Sequence, residues 1–270
     1  MTDESLTCDV MCFGGGIQST AMLIANCLGL LPKRCDFAVF ADPGFEPAAV
    51  YQHVTFMQQW AAERGTPVIS GHAATTITDA RGVKQMPLFL RQPDGSEGQL
   101  FRQCTGEYKI SVINKVLRTK LGYKPRQRMR HHVVKWIGIS RDEAIRMKPA
   151  TEAWAVHWYP LIEALDLTRH GCRDLIERYD VPMPVKSACL HCPYHSHRYW
   201  AEMKRDNPQE FAQVVEFDRR LRAAKHEIFG EDGLRGEPYI HRSRLPLDQV
   251  DLNDGQPDLF GEECEGLCGV

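Results

Sequence analysis

Residues 8–20 read CDVMCFGGGIQST, and this stretch decides the fold. The run from Asp9 to Gly14 is short, apolar and of strand length. Gly14, Gly15 and Gly16 break it, and the pattern that follows predicts a helix over 19–29. Strand, glycine turn and helix in that order make one βα unit. Glycines allow positive φ and let backbone approach an anion closely. A helix start adds unpaired N–H groups and the positive end of the helix dipole. Ser19 and Thr20 add hydroxyls. The combination reads as a cradle for phosphate or pyrophosphate, with a plain tight turn as the alternative. It lacks the Gly-Lys-Ser/Thr of a Walker loop and the G-x-G-x-x-G spacing of a dinucleotide fingerprint.

Outward from this unit the pattern repeats. Further strands are predicted at CDFAVFA (35–41), TPVIS (66–70) and HVVKWIGI (132–139). Helices are predicted over 47–65, 109–121, 171–179 and 199–226. This alternation predicts an α/β fold, a parallel twisted sheet flanked by helices. Ligands of such sheets bind beyond the carboxyl ends of the strands. There the second strand delivers Asp42, able to accept from a ribose or adenine or to help hold Mg²⁺. The fourth delivers GISRDE, with Arg141 and then Arg146 and Lys148. Amide donors, a carboxylate and arginines at one sheet edge suit an adenine nucleotide.

The 270 residues are 43% hydrophobic and 25% charged, which excludes a disordered or collagenous chain. No apolar run approaches the ~20 residues of a membrane helix. The opening MTDESLTCDV is acidic and polar, unlike a signal peptide, so a cytoplasmic protein is expected. Charge is uneven. Residues 226–270 hold eleven acidic residues against three arginines. They predict an extended acidic tail over 229–270 behind a nucleotide-binding domain over 1–228. The stretch RTKLGYKPRQRMRHHVVK (118–135), which begins with Arg118 and ends with Lys135, holds seven Lys/Arg and no acid. It is either a solvated loop or a footprint for the phosphates of a nucleotide or nucleic acid.

Ten cysteines in a chain of this kind point to metal binding or redox chemistry rather than disulfides. Cys8, Cys12 and Cys27 sit among apolar neighbours and read as core. Cys189 and Cys192 form a C-x₂-C pair able to bind one metal centre. His191, His195 and His197 crowd it, so a structural zinc is one reading and no metal another.

Six landmarks occur in order: GGGIQST, FADPGFEP, FRQCTGEYK, WIGISRDEAIR, YPLIEALDLTRHGCRDLI and SACLHCP. Together they resemble the sulfonucleotide (PAPS) reductase branch of the adenine nucleotide α-hydrolase superfamily, which also contains the PP-loop ATP pyrophosphatases. The PP-loop reads S-G-G-x-D-S; here Phe13 stands for the first Ser and Gln18 for the Asp. The resemblance implies nucleotide binding by Gly14, Gly15, Gly16, Gln18, Ser19, Thr20, Asp42 and Arg141, with ATP and Mg²⁺ or a sulfonucleotide (APS or PAPS) as ligand. It also implies a 4Fe–4S cluster held by Cys104, Cys189 and Cys192, with Thr105 where a fourth cysteine would stand. The family's terminal Glu-Cys-Gly is similar to the end of this chain, which makes Cys264 and Cys268 candidate nucleophiles. The implied activity is ATP-dependent thiolation of a nucleic-acid base, tRNA included, with a thiol or sulfur-donor protein as a further partner. Sulfonucleotide reduction and non-catalytic iron–sulfur regulation are the alternatives.

Overall fold

The structure is a computed structural model that describes residues 6–231 and 233–252. Along the chain, β1 (Thr7–Cys12) leads into α1 (Ile17–Cys27), β2 (Phe37–Asp42) into α2 (Ala48–Ala62), and β3 (Val68–His72) follows. Next come α3 (Ala80–Val83), β4 (Phe89–Arg91) and β5 (Glu97–Gln99). A π-helical turn, Gly106–Ile110, runs straight into α4 (Ser111–Lys120). Then come β6 (His132–Ile137), β7 (Ala155–Trp158), α5 (Pro160–Glu163), α6 (Arg169–Arg178), α7 (His197–Asp206), α8 (Pro208–Ala223), α9 (Lys225–Phe229) and β8 (Glu237–Tyr239).

The main sheet has the order β3-β2-β1-β6-β7 and is parallel throughout. Its fold is α/β, as the alternation predicts. β2 is buried along its whole length, which is why FAVFAD carries no alternation. Strand order steps outward from β1 to β3 and then resumes on the other side of β1 with β6. This reversal is a topological switch point, and a crevice opens beyond the strand ends there. Met11, Phe13, Trp136 and the buried face of α1 fill the core beside it.

A second core lies between α7, α8 and a small antiparallel sheet of order β5-β4-β8. It corrects two expectations. The predicted helix over 199–226 is broken at Asn207, because Pro208 opens α8. The tail does not begin at 229. Glu237, Pro238 and Tyr239 pair with β4, and Ile240, Leu247, Val250 and Leu252 are buried. The buried carboxylate of Asp218 holds this strap by accepting from the Ile240 and Leu247 amides at 3.4 and 3.0 Å. Among the described residues no helix is long and apolar enough to cross a membrane.

Candidate functional site

A cleft opens at the switch point. Gly14, Gly16, Gln18 and Ser19 form one wall, and Gly138 and Ile139, past the end of β6, form another. Gly15 holds the bend from behind. Its φ is +74°, and a Cβ there would meet Val54 at 3.2 Å. Ser19 closes the turn on itself: the Gly16 amide donates to its Oγ at 3.2 Å, and that hydroxyl donates to the Gly16 carbonyl. Gly138 lets β6 approach α1, since a Cβ on it would sit 3.2 Å from the Ser19 backbone.

Four cations line the cleft: Lys109, Arg146, Arg169 and Lys186. Two carboxylates face them. Glu143 pairs with Arg146 at 2.9 Å and accepts from the Gln18 amide at 3.0 Å. Glu46 is buried; loss of solvent raises its pKa, against the lowering pull of Lys109. Cys12 also lines the cleft, although its thiol is pushed up to about 11 by burial.

Besides Gly15, three expected residues lie off this cleft. Asp42 is committed to its own loop, accepting from the Gly44 amide at 2.7 Å and the Tyr51 hydroxyl at 2.8 Å, with His72 at 3.3 Å on its other oxygen. Thr20 is fully buried and bonded to His53 Nε2 at 2.9 Å. Arg141 turns outward to the exposed Asp166 at 2.8 Å. The Arg141–Arg146 segment is a 3₁₀ turn, so Glu143 and Arg146 face inward where Arg141 does not.

A second, narrow cavity lies next door, and all three predicted cysteines line it. Cys104 lies two residues before the π-helical turn, while Cys189 and Cys192 come from the loop before α7. Pro43, Ile77, Met86, Pro87 and Pro193 supply apolar wall, and Thr105, Tyr108 and Lys109 complete it. The eight described cysteines are thiols. Among the described residues no three Cys, His, Asp or Glu side chains are arranged to hold one metal ion. The neighbouring histidines do not line this cavity. His191 is packed between Phe45 and Phe217, 4.4 and 4.3 Å between ring centres. His195 stacks on Tyr199 and bonds the Cys189 carbonyl at 2.8 Å. Burial pushes both imidazoles down to about 3, so both are neutral at pH 7.

The two compartments share a wall. Lys109 lines both. Glu46, on the cleft side, lies 4.0 Å from the Cys189 Sγ and 3.5 Å from the Ser187 hydroxyl. The segment 185–192 spans the wall: Val185, Lys186 and Ser187 line the cleft, and Cys189 and Cys192 the thiol cavity. Arg146 stands in the cleft, as the arginines after the fourth strand suggest, while Lys109, Arg169, Lys186 and Glu46 all escape a reading by motif alone. Lys109 had a local signal, five residues after Cys104 inside FRQCTGEYK. The wide π-helical turn is what aims it between the compartments, and such turns recur at functional sites.

The basic stretch 118–135 divides. Lys135 is buried and paired with Glu152 at 2.8 Å, so it meets no ligand. Arg118 is spent on the loop itself, donating to the Lys124 and Gln127 carbonyls. Cys264 and Cys268 lie outside the described residues. No family model and no curated protein matches this chain.

Proposed function

We propose that this protein uses an adenine nucleotide in the cleft to drive sulfur transfer at the adjoining thiols, with a nucleic-acid base as acceptor. One observation carries the reading: a phosphate-type cradle and a three-thiol cavity share the wall formed by Lys109, Glu46 and Ser187. The start of α1 and the glycine turn receive the phosphates. Lys109, Arg146, Arg169 and Lys186 balance their charge in a partly enclosed site, where such contacts are strong. The acceptor's carbonyl oxygen attacks the α-phosphorus, and pyrophosphate leaves from Lys186 and the arginines. A sulfur at the sulfide level, held on the thiol side, then bonds to the activated carbon, and AMP leaves with the oxygen and the bonding electrons. Lys109, facing both compartments, steadies negative charge on phosphate and sulfur alike.

Three thiols on a largely apolar wall, without histidine, suit an iron–sulfur cluster with three protein ligands better than a Cys₃His zinc. Bound by Cys104, Cys189 and Cys192, such a cluster would supply an iron position for sulfide. A divalent cation fits the cleft poorly. Glu143 is already bonded to Arg146 and Gln18, Glu46 to Ser187 and Cys189, and Asp42 is off the cleft. The four cations take over the charge balance that Mg²⁺ provides elsewhere.

The test is pyrophosphate release from ATP by anaerobically purified protein, with and without RNA or DNA. Release stimulated by nucleic acid supports the reading, and a rate that no nucleic acid changes rejects it. The same misfit to Mg²⁺, with Gln18 in the place of the PP-loop Asp, favours sulfonucleotide reduction as second reading. Sulfite produced from APS or PAPS with a dithiol reductant would establish that one instead.

A further inference from the structure

The sequence between Glu107 and Asp142 contains no acidic residue. Part of its positive charge is consumed internally, by Lys135 and Arg118 as described. Lys109 lines the cleft and Arg141 pairs with Asp166, which leaves six cations, Lys115, Lys120, Lys124, Arg126, Arg128 and Arg130, all exposed. Among the described residues none of the six forms an ion pair. The contrast with α8 is direct, because Arg219, Arg220 and Arg222 there each pair with a carboxylate.

The six cations do not wave on a loose loop. The Tyr123 hydroxyl accepts from the Arg130 and His131 amides at 3.0 and 3.2 Å and bonds His131 Nδ1 at 2.7 Å. Gln127 Oε1 accepts from the Lys124 amide at 2.9 Å. Met129 is buried in the core under the sheet, so Arg128 and Arg130 on either side of it turn outward. The charge is presented on ordered backbone, which lowers the entropy lost on binding.

Position separates this surface from the cleft. The loop enters β6 at His132, and the cleft begins past its other end, at Gly138. Six strand residues place the loop that carries Lys120 to Arg130 about 20 Å from the cleft, whereas Lys115, two residues past the cleft-lining Ile113 on α4, lies nearer to it. Beside the cleft the charge is mixed: Glu202, Asp206 and Glu210 line a groove that shares Lys186 with it, and Arg198 and Arg205 pair with Glu202 and Asp206.

We propose that Lys120, Lys124, Arg126, Arg128 and Arg130 form a docking surface for the phosphate backbone of a duplex nucleic-acid segment, separate from the cleft. No aromatic side chain is exposed among residues 115–130. That absence of a stacking partner favours backbone contact over single-strand base recognition. The surface therefore supplies affinity and not sequence choice. A bound RNA must be large enough to reach from this pole to the cleft. The inference rests on the proposed reading in taking nucleic acid as the acceptor, and the two can fail separately.

The experiment is fluorescence anisotropy of a labelled RNA hairpin and a labelled DNA duplex with full-length protein, across 50–200 mM salt. Poly-glutamate and phosphatidylserine vesicles are the competing polyanions. With three to five phosphates engaged, log affinity should fall with log salt at a slope of about −3 to −5. The triple variant R126E/R128E/R130E should weaken binding at least about 30-fold at low salt and flatten the slope by about 3. Its melting temperature and its nucleotide binding should match wild type. The triple Arg→Lys variant should keep most of the affinity, since phosphates here are met as charge. Equal binding by wild type and the R→E variant overturns the proposal. So does a loss confined to poly-glutamate or vesicles, which would make the face a protein or lipid surface. Intact hairpin binding with no effect on pyrophosphate release would leave the surface standing and remove the thiolation reading. Stimulated release that the R→E variant preserves would do the reverse.

Discussion

The two ends of the parallel sheet use charge in opposite ways. At the carboxyl end, Arg146, Lys109 and Lys186 share a cleft with Glu143 and Glu46, and the signs interlock. At the amino end, Lys120, Lys124, Arg126, Arg128 and Arg130 stand in solvent without a paired carboxylate among the described residues. Interlocked charges in a partly enclosed site cost desolvation and are worth it only when a ligand completes them. Such a site suits one small, highly charged molecule held in one orientation. Unpaired charges in water cost little to keep and act over a Debye length of about 8 Å at physiological salt, which suits a large polyanion held loosely. The fold thus supports a precise site at one pole and an adhesive one at the other.

Lys135 belongs to neither pole, and removing it gives the largest expected effect. Its ammonium is buried and bonded to Glu152 and Asn114, both at 2.8 Å. Lys135→Ala leaves Glu152 with its lysine partner gone, a loss of about 3–5 kcal/mol of stability in urea unfolding. The salt slope of RNA binding should not move. A flattened slope would put Lys135 on the docking surface and break the division between buried and exposed cations. The pH dependence is signed. Burial alone would raise the Glu152 pKa, but hydrogen bonds from Lys135 and Asn114 hold it down at about 2. The stabilisation is complete above the ordinary carboxylate value of 4.5 and fades as pH falls toward 2. Wild type and Lys135→Ala should therefore converge in stability across that window.

Next in size is Arg146→Ala at the cleft. It removes a cation from the ligand and leaves Glu143 bonded to Gln18 without its 2.9 Å ion-pair partner. Loss of a charge-assisted contact worth about 1.5–3 kcal/mol weakens nucleotide binding ten- to a hundredfold, read by calorimetry. Arg141→Ala breaks only an exposed pair with Asp166 and should change affinity less than about twofold. Equal effects from the two would dissolve the inward–outward distinction along the 3₁₀ turn.

That distinction marks how far sequence reasoning reaches. The βα alternation and the glycine bend were legible as local patterns, whereas only the family resemblance put the distant Cys104 beside Cys189 and Cys192, with which it lines one cavity. Which arginine enters the cleft was not legible, since one 3₁₀ turn rotates Arg141 out and Arg146 in. The small sheet was hidden for another reason. β4, β5 and β8 are three residues each, too short for a period, and Phe89 pairs with Tyr239 far along the chain. Lys135 did leave a trace: strand alternation puts it on the face of Val133, which is fully buried. A cation on a buried face needs a partner, and a count of basic residues in 118–135 cannot see that.

The smallest effect compares one glycine at each pole. Gly15 and Gly122 have nearly the same backbone, φ +74° and +75°. Alanine in that region costs about 1–2 kcal/mol at either place from its own backbone strain. The surroundings differ. A Cβ at Gly122 meets nothing within 4 Å, whereas at Gly15 it meets Val54 at 3.2 Å, Val50 at 3.5 Å and Phe40 at 3.7 Å. Crowding in a packed wall adds about 1 kcal/mol or more, so Gly15→Ala should melt below Gly122→Ala. Binding should separate them further. Gly15→Ala shifts the bend that carries Gly14 and Gly16 and weakens nucleotide affinity. Gly122→Ala loosens the turn below Tyr123 and lowers RNA affinity, leaving the nucleotide untouched. If both substitutions moved both ligands equally, the poles would be one coupled site, and the 20 Å between them would be a path rather than a separation.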